Sequence, residues 1–128
     1  MKYLLDTHAF LWFVTDDERL SAKAQSIIKN SHNEVYFSAA SAWEMSIKIR
    51  LSRLTISEEL EPFIIKQISE NNFNTLSITI LHSIYTLKLP DIHKDPFDRM
   101  IIAQSQVEEM PLISKDKNIK KYKVSVVW

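Results

Sequence analysis

The sequence predicts a three-layer α/β/α sandwich around a five-stranded, mainly parallel sheet. Three observations predict it. Short apolar runs of strand type alternate with segments of helical periodicity. The connections are short, as between neighbouring elements of a parallel sheet covered on both faces. Acidic residues follow the first, second and fourth apolar runs, and another acid heads the helix before the fourth: Asp6, Glu44, Asp116 and Asp98. Right-handed crossovers put every strand's C-terminal end on one side, so these four acids are expected at one rim.

The elements follow in order. Residues 2–5 read as a buried strand. The run from Ala9 to Val14 reads as a short helix capped by Asp6-Thr7. Ser21 caps a helix to about Asn30, with Ala24, Ile27 and Ile28 on one face. Residues 35–37 form the second strand. Ser38 or Ser41 caps the next helix, and Trp43, Ile47 and Leu51 recur at i, i+4, i+8 as its expected packing face. Ser57 opens a helix with Glu58, Glu59 and Glu61 in its first turn and Leu60, Ile64, Ile65 and Ile68 as its apolar positions. Asn71-Asn72 ends it. Residues 73–78 form the third strand. Thr79 caps a helix that Pro90 stops. Asp95-Pro96 is a cap followed by proline at the first helical position, and that helix runs to about Glu109. Residues 112–114 and 124–127 are the last two strands.

Composition sets limits. A chain of 128 residues is one domain, long enough for a real core. Apolar residues make up 45% and charged residues 25%, an ordinary globular balance. There is no cysteine, so no disulfide framework and no thiolate metal site; a cytoplasmic protein is expected. The start lacks a signal peptide, and no apolar stretch approaches the ~20 residues that span a bilayer. The net charge is zero, so the whole molecule does not attract a polyanion, although Lys115, Lys117, Lys120, Lys121 and Lys123 crowd the last segment. Glycine is absent, which excludes the Walker loop, the dinucleotide fingerprint and the nucleophile elbow.

Each acid taken alone has an ordinary explanation. Asp6 caps a helix, Glu44 pairs with Lys48 at i+4, Asp98 sits in a helix first turn, and Asp116 is a loop acid among lysines. Their common placement is what those explanations leave over. A cluster of acids repels itself unless a cation sits among them, and hard cations such as Mg²⁺ or Mn²⁺ prefer carboxylate oxygens. Other chemistries fit less well. His8, His32, His82 and His93 show no zinc spacing. Asp6-Thr7-His8 lacks the second acid of a haloacid-type phosphatase, and Ile78-Thr79-Ile80 lacks the acceptor of a receiver domain.

Over nearly its whole length the chain resembles the PIN-domain family, specifically VapC-like toxin nucleases. The resemblance rests on Leu4-Leu5-Asp6-Thr7-His8 and Ser38-Ala39-Ala40-Ser41-Ala42-Trp43-Glu44. It continues in His93-Lys94-Asp95-Pro96-Phe97-Asp98-Arg99, Ile102-Ala103-Gln104 and Ile113-Ser114-Lys115-Asp116. It implies a PIN-like, Rossmann-like fold and an endoribonuclease with Mg²⁺ or Mn²⁺ held by Asp6, Glu44, Asp98 and Asp116. Asp6 and Asp98 match the family's most dependable ligands, whereas Asp95 matches the helix cap. It further implies in-line phosphodiester hydrolysis, with Glu44 or Asp116 orienting or deprotonating water. Lys115, Lys117, Lys120 and Lys121 then read as RNA contacts, and Arg99 and Lys48 as holders of phosphate or carboxylate. The implied partners are a cognate antitoxin, docking on part of Phe10-Leu11-Trp12-Phe13-Val14, and a second copy of the chain, with no membrane. The chain departs from the family at Tyr122-Lys123-Val124, where relatives often carry glycine. Two other functions stay open: a non-catalytic PIN-like module that binds RNA or protein, and a DNA nuclease or phosphatase on the same scaffold.

Overall fold

Five parallel strands lie in the order β3-β2-β1-β4-β5. In the computed structural model, which describes residues 1–128, they are β1 (Lys2–Leu5), β2 (Glu34–Ser38), β3 (Asn74–Leu76), β4 (Leu112–Ile113) and β5 (Val126–Val127). The helices are α1 (Thr7–Val14), α2 (Ala22–Lys29), α3 (Ala39–Arg50), α4 (Leu60–Glu70), α5 (Ile80–Tyr85) and α6 (Pro96–Val107). Short 3-10 turns follow α5 at Thr86–Lys88 and β4 at Lys117–Tyr122. No helix is long and apolar enough to cross a membrane.

Alternation along the central strands divides the core in two. Leu5, Val35, Phe37 and Ile113 pack with Phe10, Ala24, Ile28 and Phe63 from α1, α2 and α4. Leu4 and Leu112 pack with Ile101, Ile102 and Ala103 of α6. Strands buried on both faces read as continuous apolar runs, as the sequence of β1 does. Phe10 is fully buried, with its ring centroid 4.3 Å from that of Phe37.

The predicted class and the succession of strands and helices along the chain hold, with local differences. The third and fifth strands are shorter than expected, because as edge strands they pair on one side only. The helix expected from Ser57 begins at Leu60 after Glu59, with no side-chain cap, and buries Phe63 while Ile65 is exposed. Pro62 falls in its first turn, where no donor is needed. The larger correction concerns α3. Trp43, Ile47 and Leu51 do not form its packing face; they are exposed at 53%, 37% and 55%. The buried stripe is Ala40, Ser41, Glu44 and Met45. The helix turns its polar residues inward because that side walls the acid cavity described next.

Glycine is missing where helices normally use it. Asp16, Ser52, Asn72, Glu109 and Lys123 all have left-handed backbone, with φ between 51 and 61°. The first four lie one residue past a helix C-cap. In each case the next amide bonds back across the last turn, as Asp17 N–H does to Trp12 O (2.8 Å) and Met110 N–H to Ser105 O (3.0 Å).

Candidate metal centre

Strand order reverses between β1 and β4, and in parallel sheets ligands bind outside the C-terminal ends at that point. All four acids line one cavity there, of about 220 Å³, together with Thr7, His8 and Ser114. Asp6 leaves β1 and caps α1, its Oδ1 accepting from Ala9 N–H at 2.7 Å. Asp116 comes three residues after Ile113 and caps the 3-10 turn, accepting from Asn118 N–H at 2.9 Å. Glu44 enters from the second turn of α3, and Asp98 from the first turn of α6 behind the Asp95 cap.

Glu44 is almost wholly buried, and both its oxygens are held. The Thr7 hydroxyl donates to Oε1 at 2.6 Å, and Lys48 Nζ lies 2.6 Å from Oε2. The expected i,i+4 pair therefore exists, and it stands inside the site. His93 Nε2 lies 2.6 Å from Asp116 Oδ2. Asp98 receives no such donor. Burial first, then the charges of Asp95 and Glu44, push its carboxyl up to about 6. Asp6 is also raised, by burial, against the lowering effect of hydrogen bonds from Ser114 and from Ala9 N–H. Carboxyls raised in this way are short of positive charge.

No three His, Asp or Glu side chains gather closely enough to clasp an ion as they stand. The cavity nevertheless brings four carboxylates to one small space. Glu44 and Asp116 are each engaged by neighbours, Glu44 by Lys48 and Asp116 by His93 and the Asn118 amide. The donors are hard oxygens with no thiolate or paired imidazoles, a set that fits Mg²⁺ or Mn²⁺.

The expected RNA contacts divide. Lys117, Lys120 and Lys121 are exposed on the 3-10 turn that Asp116 opens. Lys115 lies over the Trp12 ring at 5.8 Å. Lys48 is engaged with Glu44. The Arg99 guanidinium donates to the carbonyls of Thr86, Leu89, Pro90 and His93. Four carbonyls around one planar fork make it a clamp on the loop ahead of α6. Thr7, Ser114 and His93 were missed as partners of the acids. Thr7 and Ser114 each sit beside or near an acid at a strand end, the one signal that could have found them. His93 opens the block that ends in Asp98-Arg99.

A parallel sheet with acids converging at its switch point defines a class of folds rather than one protein. The PIN domain profile matches residues 3–124, and the chain belongs to the PIN domain family. No curated protein matches it in sequence. Among solved structures, VapBC2 from Rickettsia felis bound to a DNA fragment from their promoter is similar with a TM-score of 0.71. Identity is 14%, covering 99% of this chain and 98% of that chain. FitAcB from Neisseria gonorrhoeae gives 0.67 at 14% identity, covering 100% and 97%. VapBC-1 from nontypeable Haemophilus influenzae gives 0.66 at 15%, covering 99% and 97%. At these identities the likeness shows the fold.

Proposed function

We propose that this chain is a metal-dependent endoribonuclease of the cytoplasm and the toxin of a toxin–antitoxin pair. The observation that carries this is the convergence of Asp6, Glu44, Asp98 and Asp116 on one cavity at the C-terminal ends of β1 and β4. Asp6 and Asp98 are the acids short of charge and would hold Mg²⁺ or Mn²⁺ most directly. The divalent ion, when bound, supplies positive charge for the phosphodiester transition state and lowers the pKa of water. Glu44, gripped by Thr7 and Lys48, or Asp116, gripped by His93, orients that water and takes its proton. Lys117, Lys120 and Lys121 hold the RNA backbone beside Asp116 without reading sequence.

Two surfaces suit the partners. A cleft of about 600 Å³ shares Thr7 and His8 with the acid cavity. It is lined by Leu11, Trp12, Leu54, Ile56 and Phe63, with Arg53 among them, so an antitoxin segment carrying apolar and acidic side chains would fit it. On α5 and the turn after it, Ile80, Leu81, Ile84 and Leu87 are all more than half exposed, a patch suited to a second copy of the chain.

The test is cleavage of a total bacterial RNA pool by the antitoxin-free protein, with Mg²⁺ or Mn²⁺, with EDTA, and with Asp6→Asn. Discrete fragments that need both metal and Asp6 are expected. The internal partners of Glu44 and Asp116 favour a second function, a non-catalytic module. It would bind RNA or protein with no cleavage by folded, metal-saturated protein. DNA and a small phosphate ester, assayed alongside, separate the remaining nuclease and phosphatase alternatives.

A further inference from the structure

We propose that Tyr122 and His93 form a positioning chain that fixes the orientation of Asp116; its bearing on cleavage rests on the nuclease function above. One arrangement of protons makes every link of this chain a donor–acceptor pair directed at Asp116. His93 N–H can only donate, and it does so to the Tyr122 hydroxyl at 2.6 Å. The hydroxyl's own proton is then free for His93 Nδ1, which lies 2.8 Å away. Nδ1 thereby accepts, so the ring's proton sits on Nε2. From there it is donated to Asp116 Oδ2 at 2.6 Å. The direction runs from a buried phenol, through the imidazole, to a carboxylate.

Packing holds each link. The His93 and Tyr122 rings stack with centroids 5.4 Å apart. Arg99 of α6 clamps the His93 loop through four carbonyls, including that of His93 itself. Gln106, also of α6, donates to the Tyr122 carbonyl. Tyr122 and His93 are thus both referenced to the helix that carries Asp98. Asp116 lies on a separate element beyond β4, yet its position is set against the same helix. Its other oxygen, Oδ1, caps the 3-10 turn. Each oxygen keeps a lone pair, and both point in fixed directions. His93 touches the carboxylate and not the reacting phosphate, so it is a positioning residue.

Two variants separate this role from packing. Glutamine can place an amide N–H where Nε2 lies, keeping the donor to Asp116. Asparagine mimics the Nδ1 side and loses that donor. His93→Asn should lower cleavage by about 10–100-fold, the usual range for groups that orient metal-site ligands, and His93→Gln should recover most of the loss. The second readout needs no activity. Nitrogen-15 spectra of the metal-free protein should show His93 carrying its proton on Nε2, and Tyr122→Phe should mix the two tautomers. An Nδ1–H tautomer in the wild type, or His93→Asn cleaving as well as His93→Gln, would overturn the proposal. If the wild type cleaves nothing while the Nε2–H tautomer and its dependence on Tyr122 are present, the nuclease function falls and the chain to Asp116 stands.

Discussion

Asp98 stands at the start of α6 with other acids around it and no donor to its carboxylate. Its carboxyl is raised to about 6 from an ordinary 3.8, by burial and then by Asp95 and Glu44. Between those values the folded protein binds more protons than the unfolded chain, so stability falls as pH rises from about 4 to about 6. Above about 6 the full cost is present. Asp98→Asn removes it. In EDTA at pH 7 that variant should be more stable than the wild type by about 1 kcal/mol, a figure reduced for solvent screening at a partly exposed group. At pH 4 the two should unfold together. Urea midpoints at both pH values decide this, and equal midpoints at pH 7 would remove the electrostatic strain from the account. The same substitution should abolish RNA cleavage. Asp6, Glu44, Asp98 and Asp116 were legible as a set because strand ends announce themselves in the sequence. Their partners were not. Ser114, Thr7 and His93 are ordinary polar residues, and only the fold shows which carboxylate each one touches.

At the scale of elements, α3 shows why periodicity misleads near a site. Trp43, Ile47 and Leu51 form a clean apolar stripe, and the helix exposes it. Its buried stripe contains Ser41 and Glu44, whose desolvation is offset by Thr7 and Lys48. A hydrophobic pattern reports burial only where burial is all that a face must achieve. The caps were easier to read: Asp6, Ser21, Thr79 and Asp95 each accept from the amides expected of them. The 3-10 turn at Lys117–Tyr122 was not foreseen, since its lysines carry no apolar period. The helix ends yield a separate prediction. An ordinary residue in left-handed backbone costs about 1 kcal/mol, less for asparagine and aspartate. Ser52→Gly and Glu109→Gly should therefore each stabilise the protein by about 0.5–1 kcal/mol, net of glycine's greater unfolded freedom. Asn72→Gly should change little. Lys123, with φ 61°, ends the 3-10 turn in the same left-handed backbone, so there a lysine bears the cost that glycine would avoid. Chemical denaturation of the three variants tests the ranking; a gain at Asn72 equal to that at Glu109 would contradict it.

Over the whole molecule, 16 basic and 16 acidic side chains cancel. Long-range attraction cannot bring RNA to such a protein, so any affinity must come from where its charges lie. The acids gather at the sheet rim, and a divalent ion there would offset part of their repulsion toward phosphate. Beside them the turn from Lys117 to Tyr122 exposes Lys117, Lys120 and Lys121, with Asp116 at its head. A single strand crossing that turn should release counterions for those three contacts and few others. Binding of a single-stranded RNA to the Asp6→Asn protein should then weaken with salt at a log–log slope of about −2, from ~0.7 per phosphate neutralised. Replacing the three lysines with glutamine should bring the slope close to zero while leaving the fold intact, because none of the three is buried. Fluorescence anisotropy between low and moderate salt measures it. A slope unchanged by the triple substitution would move the RNA track off this turn.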